Sequence, residues 1–282
     1  PGAIGDGGDL TIETGNLTVG DRAQVIAASS GDGNAGKLDI TAEQININQQ
    51  ANISTATFGT GASEELNINT RTLQLNNATI NASTTTTQQG GNINVNASES
   101  VTVTGAGFES LQQNFINPAL ENNLGFANFT QGIITTSDGE GAAGNVFIET
   151  PNFTVNNGGL IATTALNTGK GGNIDINVTD SITLDNSLLA TGTFSEAVAG
   201  NINLNARKLT AIGGAQVLTT TFDEGKAGNL NVNVSESIDL IDPSEQGITS
   251  GLFASSSQTA SGSGGDINVK TGDFNIVDRA AV

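Results

Sequence analysis

Apolar residues in this chain alternate with polar ones in short blocks, and the blocks recur. One set holds Leu38 and Ile40, Ile174 and Ile176, and Leu230 and Val232. A second follows a few residues later with Ile45 and Ile47, Ile182 and Leu184, and Ile238 and Leu240. A spacing of two is the strand period, in which alternate side chains share one face. A third set opens on an apolar pair, at Leu160–Ile161, Leu188–Leu189 and Val217–Leu218, then turns to hydroxyl residues: LIATTA, LLATGT, VLTTTF, LFASSS. Clusters of Gly, Asn and Asp stand between the sets and supply turn chemistry, including positive φ. The pattern predicts three short strands per unit and no helix within it.

Aligned on the first apolar residue after each glycine opener, the unit starts its first strand at Leu10, Leu38, Leu66, Ile93, Val146, Ile174, Ile202, Leu230 and Ile267. Successive steps are 28, 28, 27, 53, 28, 28, 28 and 37 residues. The predicted fold is all-β: a parallel β-helix, or solenoid, of about nine coils of 28 residues with three strands per coil, forming one repeat domain over residues 1–282. Coil starts fall near 8, 36, 64, 91, 144, 172, 200, 228 and 265. Nine rungs spaced as in any β-sheet make a rod roughly 43 Å long. A lone coil buries too few aliphatic side chains to offset the entropy of ordering its backbone, so its neighbours must supply the balance. The residue after the opener is Asn92, Asn145, Asn173, Asn201 or Asn229, with Asp9 and Asp266 towards the ends. Stacked in register, these side chains are expected to hydrogen-bond along the rod as a structural turn ladder.

Two stretches depart from the repeat. Residues 105–131 form a Phe-rich insertion carrying Phe108, Phe115, Phe126 and Phe129, with ESLQQNFINPALENNL as one or two short helical turns interrupted at Pro118. Extra sequence in a solenoid leaves the coil at a turn and often carries binding. The four phenylalanines are therefore candidate partner-binding residues, or a flap that covers one sheet face. The second insertion, residues 242–250, is polar and reads as a longer turn.

Composition narrows the chemistry. The chain has 37 Gly and no Cys, His, Met, Trp or Tyr, and its formal net charge is −19. Without Cys there is no disulfide framework or thiolate chemistry, and without His the usual general base near neutral pH is missing. Nine basic residues against that charge argue against nucleic acid as a partner. No apolar run reaches membrane-spanning length, so membrane insertion is not expected. A glycan-processing β-helix needs acids grouped on adjacent rungs. Here Asp39 and Asp175 share a column several coils apart, Glu149 and Asp175 lie in different columns, and Asp6, Asp32, Asp138, Glu140, Asp223 and Glu224 fall in turns. No catalytic residue, metal ligand or cofactor site is assigned, and loose Ca2+ binding by turn acids is the most the acids allow. The hydroxyl residues Thr135, Thr163, Thr191, Thr220 and Ser255 read as a solvated strand face, or as flat files facing a crystalline ligand.

Three elements together carry a family resemblance: the AGN[IL]N[VL]N opener, the SES[IV] link and the GGAQVLTTTF turn and third strand. The chain resembles the repeats of filamentous-haemagglutinin-like exoproteins, and among them the large cyanobacterial members exported by two-partner secretion. The resemblance implies a right-handed β-helical rod, exported across the outer membrane to the cell surface or beyond, and acting in adhesion, aggregation or biofilm. Haem, which some members engage through partners, finds no His, Cys, Met or Tyr here as an axial ligand. VGDRAQV at 19–25 aligns with VDRAAV at 277–282, so the sequence is expected to be an internal piece of a longer chain. The function expected is that of a non-catalytic extracellular structural and adhesive rod. Its partners would be further coils or copies of itself end to end, and a surface glycan or surface protein. The competing expectation is a glycan-binding or polysaccharide-degrading β-helix protein.

Overall fold

The structure is a computed structural model that describes residues 4–107, 131–245 and 247–282. Long strands β1 (Leu10–Val19), β3 (Leu38–Asn48), β5 (Leu66–Asn76), β7 (Ile93–Thr104), β9 (Val146–Asn156), β11 (Ile174–Asp185), β13 (Ile202–Ile212) and β15 (Leu230–Leu240) run through it. They alternate with six-residue strands β2 (Gln24–Ser29), β4 (Asn52–Thr57), β6 (Thr79–Thr84), β8 (Gly132–Ser137), β10 (Leu160–Ala165), β12 (Leu188–Thr193), β14 (Gln216–Thr221) and β16 (Gly251–Ser256). Strands β17 (Ile267–Lys270) and β18 (Asp273–Ile276) are two halves of a further long strand, and both pair with β15. The long strands form one parallel sheet in chain order and the short strands a second.

The repeat alignment is also the pairing register. Leu10 pairs with Leu38, Leu38 with Leu66, Leu66 with Ile93, and Ile93 with Val146. Val146 pairs in turn with Ile174, then Ile202, Leu230 and Ile267. The 53-residue step from Ile93 to Val146 is thus a single rung like the others. The molecule is a rod-like parallel β-solenoid with a period of about 28 residues.

One expectation about the coil differs. From β1 to β15 the first and second strands of the unit are joined as one continuous strand of 10 to 12 residues, so these coils have a long and a short strand in two sheets. The reason is the corner between them. Register shifts such as those between Thr70 and Thr72 and between Val178 and Ser181 mark bulges, which bend a strand without ending its ladder. Pro151 sits at this corner of β9, where a missing N–H is tolerated.

The interior is a set of aliphatic files. Ile45, Leu73, Val101, Phe153, Ile182, Leu209 and Ile238 make one of them, and all are buried. Ile53, Ile80, Ile133, Ile161, Leu189, Val217 and Leu252 face it from the short strands. Phe153 is the largest fully buried side chain, and the smaller Val101, Val103 and Val155 around it leave room for the ring.

Glycine has a different role from the one its turn chemistry suggests. The opener glycines Gly144, Gly172, Gly200 and Gly228 do not have positive φ. A Cβ on each would lie 1.7 to 1.9 Å from a carbonyl oxygen of the coil before it, so their requirement is steric contact between coils. Positive φ falls instead in the turn from long to short strand, at residues such as Gln49, Gln50, Asn77, Asn157 and Asn186.

Candidate functional site

Stacking places every outward residue above its counterpart, and the surface is therefore built of columns. The opener asparagines form one. The Asn92 side-chain carbonyl accepts the backbone N–H of Asn145 at 2.9 Å. Asn145, Asn173 and Asn201 accept from Asn173, Asn201 and Asn229, each at 2.8 Å, and Asn229 accepts from Asp266 at 3.0 Å. Each bond gives a partner to a turn N–H that the strand ladder does not reach.

A second column runs up the outer face of the long strands: Asp39, Asn67, Asn94, Phe147, Asp175, Asn203, Asn231 and Asn268. Below Phe147, Asn94 donates to Asn67 at 2.7 Å and Asn67 to Asp39 at 2.8 Å. Above it, Asn268 donates to Asn231 at 3.0 Å, Asn231 to Asn203 at 2.8 Å and Asn203 to Asp175 at 2.6 Å. Both ladders end on a carboxylate, which accepts and never donates. Asp39 and Asp175 are therefore terminal acceptors, four rungs apart.

The hydroxyl residues do not form a solvent-facing file. Thr135, Thr163 and Thr191 share a column with Thr219 that points inward, and all four are fully buried. Thr135 and Thr191 donate to the carbonyls of Gly144 and Gly200 at 2.5 Å, Thr219 donates to Gly228 at 2.6 Å, and Thr163 donates to Gly172. Thr220 and Ser255 belong to the neighbouring column. A threonine reads as polar, yet its hydroxyl satisfies a buried carbonyl here, and these four hydroxyls do not face solvent.

The charged groups are arranged by the same stacking. A repeated acid would place like charges one rung apart; instead Arg71 lies between Glu43 and Glu99, at 3.8 and 2.5 Å. Arg207 bridges Asp180 and Glu236 in the same way, with Lys208 2.9 Å from Glu236. The hydrogen bond from Lys208, followed by that from Arg207, holds the Glu236 carboxyl below its ordinary value, and Asp180 and then Glu236 raise the Arg207 guanidinium. A depressed acid stabilises the fold above its unfolded value and loses that contribution as pH falls through its folded one. Glu236→Gln is expected to flatten the acid limb of the Tm–pH profile, and 1 M salt to shrink the difference between variant and parent.

Along the lower amide ladder, up to Phe147, the outer sheet face carries a groove of about 560 Å³. Phe147 lines it, 38 % exposed, with Lys37, Asp39, Asn67, Asn69, Asn94, Asn96, Glu149 and Asn177. Asn69, Asn96 and Glu149 are one column, exposed, and no side-chain bond joins them, whereas Asn177, Asn205 and Asn233 continue that column as a bonded ladder at 2.8 and 3.3 Å. The groove thus combines one aromatic face with amides and a carboxylate left open to solvent.

No family model, curated protein or solved structure matches this chain. The expected partner-binding residues Phe108, Phe115, Phe126 and Phe129 lie outside the described residues. Among the described residues, no three His, Cys, Asp or Glu side chains converge in a way that holds a metal ion. The Phe147 groove is not singled out by the sequence reading. Its signal is present, because writing the repeats in register shows one aromatic in a column of Asn and Asp.

Proposed function

We propose that this chain is a non-catalytic stretch of an extracellular adhesive rod of the filamentous-haemagglutinin-like type, wound right-handed in about nine coils and continued by further coils in a longer chain. The supporting observation is the unbroken parallel order of the long strands, which stacks a 28-residue repeat into a stiff support. Such a rod acts by geometry: it holds surface features at fixed spacing away from the cell. The disposition of the acids supports a non-catalytic role. Asp39 and Asp175 end amide ladders, and Glu43, Glu99, Asp180 and Glu236 are engaged by arginine. Partners of this surface are expected to be other surface molecules of the same or a neighbouring cell. Electron microscopy of material shed by the producing cells tests the reading. Long uniform fibres carrying this chain's epitope are expected, and isolated particles with closed, capped ends would overturn it.

A further inference from the structure

We infer that the groove around Phe147 binds a neutral saccharide chain. Elsewhere each asparagine of this column bonds to the rung below, which satisfies the side chains and leaves them little to offer a ligand. Phe147 breaks the sequence: above Asn94 stands a ring that cannot donate to its carbonyl, and below Asp175 stands one that offers no polar partner. One column over, the Asn69 and Asn96 amides and the Glu149 carboxylate have no side-chain partner. Unpaired polar groups on three consecutive rungs therefore surround one exposed aromatic face inside a groove.

That combination selects a ligand class. A pyranose presents an apolar C–H face and a rim of hydroxyls that both donate and accept. Phe147 offers the flat apolar surface for the first. The amides, each with two donors and an acceptor, match the second, and Glu149 accepts from a hydroxyl pair. Rungs about 4.8 Å apart repeat at close to the length of one sugar ring, so Asn69 and Asn96 can contact successive residues of a chain. Charge decides between saccharides. The groove holds Lys37 against Asp39 and Glu149 on a chain of net charge −19, which disfavours sulfated or uronic chains. Its two carboxylates, Asp39 and Glu149, stand three rungs apart, about 14 Å along the sheet and wider than a glycosidase pair, and the proposal is binding alone. It rests on the adhesive-rod reading only in needing this face accessible; a rod that forms fibres yet binds no sugar sinks this inference and leaves that reading intact.

The test is calorimetric titration of the 282-residue chain with four neutral hexasaccharides, β-1,4-glucan, α-1,4-glucan, β-1,4-mannan and β-1,4-xylan, alongside a heparin hexasaccharide. At least one neutral chain is expected to bind and the heparin chain at least tenfold more weakly. Phe147→Ala is expected to weaken binding at least tenfold, while Phe58→Ala, which removes a phenylalanine 65 % exposed elsewhere, changes it less than twofold. Phe147→Asn gives a second readout, because an amide there can donate to Asn94 and extend the lower ladder. It is expected to leave Tm unchanged or higher and to abolish binding. Binding of none of the neutral chains, preference for heparin, or binding unaffected by either substitution at Phe147 overturns the proposal.

Discussion

Gly200→Ala is expected to destabilise the chain by about 3 kcal/mol, the upper end of the cost of overpacking a tight interior. A Cβ at Gly200 would lie 1.7 Å from the carbonyl oxygen of Gly172 and 2.3 Å from its carbonyl carbon. Those atoms are backbone and cannot rotate away. The same Gly172 carbonyl accepts the buried Thr163 hydroxyl, so separating the coils also strains that bond. Gly192→Ala is expected to act in the opposite direction. Gly192 lies inside β12, and a Cβ there meets the Phe222 ring at 3.7 Å and the Thr220 and Thr164 methyls at 3.8 and 4.0 Å, ordinary contact distances. Removing a strand glycine without a clash is worth about 0.5–1 kcal/mol. Urea unfolding followed by circular dichroism checks the pair. Equal effects at the two glycines would mean that the coils do not approach each other as described.

The second large effect is expected at Phe153. Its ring is fully buried in a file of aliphatic side chains, and Val101, Val103 and Val155 are the smaller neighbours that accommodate it. Phe153→Ala is expected to cost about 3–5 kcal/mol through lost burial and the cavity left behind. The paired exchange Phe153→Val with Val101→Phe moves the ring one rung along the same file and conserves volume. It is expected to recover most of the loss, since cores tolerate volume-conserving rearrangement. An exchange variant as unstable as Phe153→Ala would show that the ring is held by a site specific to its rung.

Most of the scaffold was legible because a solenoid writes its register into its sequence. Leu38, Leu66 and Ile93 each follow an opener turn at matching offsets, and the structure pairs those residues with one another. What escaped has physical causes. The corner of the long strand carries Ser, Thr and acids, which read as a turn, yet bulged pairing carries the backbone through it. Thr163 and Thr191 read as surface residues, because alternation alone does not reveal that their hydroxyls have glycine carbonyls to satisfy. The opener glycines suggested positive φ, whereas the coil before them is what excludes a side chain. Phe147 escaped because a single phenylalanine stands out only when the columns are laid side by side.

Distance along the molecule is set by rung and not by sequence separation. The absence of cysteine allows labels to be placed freely, and Thr41, Asn177, Asn205 and Asn233 lie exposed in one outward column. Pulsed electron-electron resonance on spin-labelled double variants of Thr41→Cys with Asn177→Cys, Asn205→Cys or Asn233→Cys measures four, five and six rungs. The expected distances are about 19, 24 and 29 Å, rising by one strand spacing per coil. Each pair spans the 53-residue step between Ile93 and Val146, which must count as a single rung. Distances that rise in even increments close to the strand spacing support the solenoid; distances that fail to increase from pair to pair, or that add a second rung's length for that step, contradict it.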